Sequence, residues 1–173
     1  MVELAKFVQE SYKSTDEWRI VEQLADQLVE SLNDEETLRR ITDANSPGSS
    51  SAEVQAAFRP SAEKLGFESE RKGLFAESIT GLRPDYFLRL GETGIILEVE
   101  RGKTTTNNMD LLDFWKCHIC EVATYLFLLV PNALQHNPKM IPKREFEVVQ
   151  RRLSQFFESG KYTNVRGLCL FGY

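Results

Sequence analysis

The sequence predicts an α/β (α+β) fold: a mixed β-sheet flanked by helices, with a helical extension in front. Three observations predict it. Apolar residues recur at helical spacing over the first 45 residues, the period shortens to that of strands from residue 67, and helical stretches near 109–121 and 144–159 separate the later apolar runs. Strands separated by such helices join through crossovers, and the crossover helices cover the sheet.

Taken in order, the first helix starts at a capping box, Ser14 with Glu17 three residues on, and carries Trp18, Val21, Leu24, Ala25, Leu28 and Leu32 on one stripe. Asn33 and Asp34 divide it from a short helix, "EETLRRITDA". The breaker "NSPGSSS" (45–51) joins the helical layer, residues 1–45, to a core of residues 51–173 within one domain, 1–173. Ser50 and Glu53 open a further helix bearing Val54, Ala57, Phe58, Ala62 and Leu65, kinked at Pro60 and closed at Gly66. Strands follow at "FESERKGLF", "DYFLRL" (85–90) and "IILEVE" (95–100). Then come the polar loop "RGKTTTNN", a helix from Met109 to Glu121, the strand "TYLFLLV" (124–130), a helix over 144–159 and a last strand "RGLCLFGY".

Composition narrows the class. The chain has 173 residues, 42% hydrophobic and 27% charged, enough for a real core. A net charge of −5 argues against binding a polyanion by bulk attraction, but leaves room for a basic face beside an acidic cleft. Three cysteines and an N-terminus unlike a signal peptide point to reducing cytoplasm. No apolar run reaches the roughly 18–20 residues of a membrane span.

The chemistry centres on residues 82–103. If 85–90 and 95–100 form a hairpin about the turn 91–94, Asp85 lies opposite Glu100, with Glu98 two residues along on the same face. Cross-strand neighbours of that kind are about 5–8 Å apart, so three carboxylates crowd one patch of an otherwise apolar hairpin. A divalent cation relieves the repulsion, and Mg²⁺ prefers such oxygen ligands, with Mn²⁺ as its substitute. Solvated strand charge is the plainer alternative.

Pro84-Asp85, a twelve-residue gap and then Glu98-Val99-Glu100 resemble the PD-(D/E)XK nuclease superfamily, in the BamHI and BglII type where glutamate replaces the motif lysine. The element order from 51 to 173 is similar to that fold's core. The resemblance implies that Asp85 and Glu98 bind Mg²⁺ and that Glu100, at the lysine position, assists the attacking water or a second ion. It further implies a cytoplasmic endonuclease of restriction or other DNA-defence type that hydrolyses DNA, with RNA an open alternative and a homodimer suited to cutting two strands. A binding module that keeps the nuclease-like fold without catalysis, for nucleic acid or protein, is the rival.

Lys116 falls on one stripe with Met109, Leu112 and Ile119, an inward position where a buried ammonium demands a partner; the superfamily relocates its lysine to this helix. Lys103 and Asn107, in the loop with Thr104, Thr105 and Thr106, are candidates for substrate phosphate. Glu63, Glu68 and Glu70 include a candidate additional ligand. Cys117, His118 and Cys120 lie within one turn, but Cys169 and His136 are remote, so core thiols are preferred to zinc. Lys143, Arg144, Arg151 and Arg152 flank the last helix, as a solvated face or as DNA-backbone contacts.

Overall fold

The computed structural model describes residues 1–46, 49–69, 82–135 and 141–173. Its centre is a six-stranded mixed sheet of β1 (Glu3–Val8), β2 (Glu68–Ser69), β3 (Tyr86–Leu90), β4 (Thr93–Val99), β5 (Tyr125–Val130) and β6 (Gly167–Gly172), in the order β1-β6-β5-β4-β3-β2. β4, β5 and β6 run parallel, and β1, β2 and β3 pair antiparallel with their neighbours. Among the described residues five α-helices accompany it: α1 (Asp16–Leu32), α2 (Glu35–Ala44), α3 (Ser51–Lys64), α4 (Met109–Ile119) and α5 (Glu145–Ser154). α4 is the crossover between the parallel strands β4 and β5, and α5 that between β5 and β6, as the order of apolar runs predicts.

Two cores result, one on each face. Ile95, Leu97, Val99, Phe127 and Phe171 face α1 and α3 with Trp18, Leu28, Leu32 and Phe58. Ile96, Leu126, Leu128 and Leu170 face α4 and α5 with Phe114, Phe146, Val149 and Leu153. β4, β5 and β6 are buried along their whole length, as strands covered on both faces must be.

Several sequence expectations shift. Residues 3–8 form a strand antiparallel to β6, not a helix. Their side chains are only half-buried, so the segment carries little periodic signal, and Lys6 reaches out to Asp26 at 2.8 Å. The cap of α1 is Thr15, whose Oγ1 accepts from the Trp18 amide at 3.2 Å. Glu17, expected in a capping box with Ser14, instead accepts from the Tyr125 hydroxyl and pairs with Arg166 across the fold. The Ser50–Glu53 capping box forms as expected, and α3 continues through Pro60. Of the expected first strand, Glu68 and Ser69 pair with β3, while residues 70–75 lie outside the described residues. No helix among the described residues is long and apolar enough to cross a membrane.

The hairpin turn matters most for the site. Leu90 pairs with Thr93, so the connection is the two residues Gly91 and Glu92 rather than four. Gly91 takes φ of 57°, a left-handed value that suits the first position of a two-residue hairpin loop. This tighter turn sets the register of everything upstream.

Candidate functional site

β3 and β4 position the first two acids. Tyr86 pairs with Leu97, so the ladder continued by one residue sets Asp85 opposite Glu98, not Glu100 as the longer turn predicts. The shift is two residues, which preserves the face because strand side chains alternate with a period of two. The Asp85 amide donates to Glu98 Oε2 at 3.1 Å, and Asp85 Oδ2 accepts from the Val99 amide at 2.9 Å. Asp85 Oδ1 accepts from Gln55 Nε2 on α3 at 2.8 Å. Asp85 is therefore fixed by three hydrogen bonds before any ligand is considered.

α4 supplies the rest. Lys116 Nζ donates to Glu98 Oε1 at 3.0 Å and lies 2.8 Å from Asp113 Oδ1. Asp113 is 0% exposed and Glu98 2%. Glu100 lies one residue beyond β4, where burial and the neighbouring charge of Asp113 raise its carboxyl. Four acids, Asp85, Glu98, Glu100 and Asp113, thus surround one ammonium.

The electrostatics follow from that excess. Burial, followed by the charge of Asp113, pushes Glu98 up to about 8. Burial, Asp113 and Glu98 push Glu100 up to about 9. Burial also raises Asp85 and Asp113, although Lys116 opposes both shifts. At Lys116 burial works against the charge, but Glu98 and Asp113 together outweigh it and hold the ammonium protonated. One cation cannot neutralise four carboxylates, so protons make up the difference here.

The donor set is of the kind a divalent cation takes, hard carboxylate oxygens in excess over positive charge on a strand pair and the adjoining helix. Among the described residues, no three His, Cys, Asp or Glu side chains converge in metal-ligating geometry. In this arrangement both Asp85 oxygens and both Glu98 oxygens accept hydrogen bonds.

Asp113 is the residue that sequence reasoning missed. The expected inward stripe of α4 placed Leu112 beside Lys116, yet Leu112 is 50% exposed and the buried face is Asp110, Asp113, Phe114 and Cys117. Hydrophobic spacing reads such acids as outward, and only their ion partners bring them in. Lys116, half-buried and doubly paired, does sit at the cluster. Gln55 was also missed. Of the three candidate extra acids, Glu63 on α3 is exposed, Glu68 lies in β2, and Glu70 is outside the described residues.

The other candidates separate from the cluster. Lys103 (φ 60°) and Asn107 are exposed, and no described contact joins either side chain to the acids. Their loop is held from the far side. Lys143 Nζ donates to the Thr105 and Thr106 hydroxyls, Arg152 donates to the Thr105 carbonyl and Asn108 Oδ1, and buried Glu145 accepts from the Thr105 amide. Arg152 also lies 3.4 Å from buried Asp110, so it braces the loop rather than forming part of a solvated face. Arg144 pairs with Glu147 on the surface.

The cysteines are buried and free, and Cys117 and Cys120 lie on the opposite face of the sheet from Cys169, which excludes one zinc site for all three. His118 stacks on Trp115 and contacts Thr163 and Asn164 through Nδ1, a structural role. His136 lies outside the described residues.

No family model matches this chain, and no curated protein sequence does. One solved structure similar to it is restriction endonuclease BglII complexed with a DNA 16-mer, with a TM-score of 0.48 and 9% identity over 99% of this chain and 77% of that one. The likeness concerns the arrangement of elements, and nothing about activity follows from it.

Proposed function

We propose that this protein is a Mg²⁺-dependent endonuclease that hydrolyses DNA phosphodiester bonds at Asp85, Glu98, Glu100 and Lys116. The observation that carries the reading is the buried cluster itself: the acids singled out by sequence spacing meet a lysine from the crossover helix, with Asp113 completing the group. Excess buried carboxylate is costly to a fold unless something cationic uses it.

In this reading Asp85, Glu98 and Glu100 hold the ion, Mn²⁺ serving in place of Mg²⁺. When bound, such an ion activates water and stabilises the leaving oxygen of a phosphodiester. The chain's own residues do the remaining work. Gln55 and the Val99 amide aim the Asp85 carboxylate, and Lys116 anchors Glu98 while placing a fixed positive charge beside it. Asp113 positions Lys116. Glu100, which holds a proton readily, is placed to exchange one with water at the site.

DNA enters as the substrate through the sequence resemblance; RNA shares the same backbone chemistry. The test is incubation of supercoiled, linear and single-stranded DNA, and of RNA, with Mg²⁺ or Mn²⁺. Nicking by the wild type, lost in Asp85→Ala and Glu98→Gln, is expected. Equal products from wild type and both variants, or none from any, would leave the non-catalytic binding module as the better account.

A further inference from the structure

Beside Asp85 lies a cavity of about 170 Å³ whose lining includes Gln55, Arg59, Ser69, Arg83, Asp85 and Tyr86. A single water needs about 10–15 Å³ of such space, so the oxygens of a phosphate have room. Its charge is unusual for this acidic chain. Arg59 and Arg83 both line it, and neither forms an ion pair with a described residue. Arg59 Nε is buried without a hydrogen-bond partner among the described residues. Among the described residues its guanidinium is placed near the Tyr86 hydroxyl, which itself donates to the Gln55 carbonyl at 3.2 Å. No ion pair joins Arg59 to the Asp85 carboxylate in the wall, whose oxygens accept from Gln55 and Val99.

A buried donor left unmade costs on the order of 1–3 kcal/mol and more when charged, and guanidinium forks match phosphate oxygens in pairs. We propose that this cavity is a second anion site, in which Arg59 and Arg83 clamp a backbone phosphate of the nucleic-acid strand next to the one presented at Asp85. The inference rests on the nucleic-acid reading above and deepens it by assigning the neighbouring phosphate. Gln55 then has two tasks: it lines the clamp with its body and aims Asp85 with its amide, so an occupied clamp and an oriented acid favour one another.

The experiment is fluorescence anisotropy of labelled duplex and single-stranded DNA, with Ca²⁺ replacing Mg²⁺, over a series of salt concentrations. Arg59→Ala and Arg83→Ala are each expected to weaken binding about tenfold and to reduce the slope of log K against log salt by about one. Arg59→Lys should restore the slope but not the full affinity, because a lysine keeps the charge and loses the fork. Lys13→Ala, on a distant exposed turn, should change neither. Arg83 is exposed, so its variant carries the test if Arg59→Ala melts early. Folded arginine variants that bind within about twofold of wild type with an unchanged slope would overturn the clamp, even if the wild type cleaves. Arginine-dependent binding by a protein that never cleaves would keep the clamp and remove the nuclease, and a wild type that binds no nucleic acid would remove both.

Discussion

The two faces of the sheet are built on opposite terms. Against α1 and α3 the filling is almost wholly apolar, Trp18, Leu28, Phe58, Phe127 and Phe171, and each side chain there stabilises by leaving water. Against α4 and α5 the apolar filling is interrupted by Glu98, Asp110, Asp113 and Glu145, all buried. Burying charge costs stability that the first face does not spend. The contrast teaches that the two faces are held differently: one is a scaffold of apolar contacts, and the other carries buried charge at a cost in stability.

That comparison can be broken most forcefully from the scaffold side. Phe58→Ala empties a fully buried aromatic site and is expected to cost about 3–5 kcal/mol in chemical denaturation, while the fraction that remains folded keeps its turnover. Next comes Glu98→Gln, the mirror image. It should lower cleavage by about 10²–10³-fold, or roughly 3–4 kcal/mol of barrier, with thermal stability equal to or above wild type because the crowding of buried acids is relieved. A Glu98→Gln protein that loses stability like Phe58→Ala would erase the distinction between the faces.

Lys116→Met should cost about 1–3 kcal/mol at neutral pH, since the acids lose their cation. The loss should shrink in acid, where the same carboxyls are protonated, and urea melts at two pH values would show it. The last test is the pH slope of the wild type without metal. Glu98 and Glu100 have folded values raised to about 8 and about 9 from an ordinary 4.5, so the native state binds more protons than the unfolded chain between those limits. Stability from these groups is full at low pH and falls as pH climbs from 4.5 through about 9. Glu100→Gln should flatten that fall, and a slope unchanged in the variant would remove Glu100 from the cluster.

Legibility in the sequence followed the same divide. The hydrophobic runs announced β4, β5 and β6 and the crossover helices, because strands buried on both faces have few ways to be polar. Asp85 and Glu98 stood out because they interrupt such runs. Asp113 did not, since an acid on a helix next to Leu112 and Trp115 reads as its solvent side, whereas Trp115 is 57% exposed. β1 was hidden because a half-buried strand ending a sheet lacks alternation, and the register of the hairpin was hidden because it depends on whether Thr93 and Gly94 belong to the turn or to the strand. Gln55 gave no signal at all. An amide on a helix becomes legible only when the acid it orients, 30 residues away, is brought beside it.

The most direct measurement is a calorimetric titration of Mn²⁺ and Mg²⁺ into the wild type and Asp85→Ala at neutral pH. The wild type should bind saturably with release of protons from the acid cluster, and Asp85→Ala should show no such binding. Identical isotherms for the two proteins, or no metal binding by either, would contradict a cation site at Asp85 and Glu98.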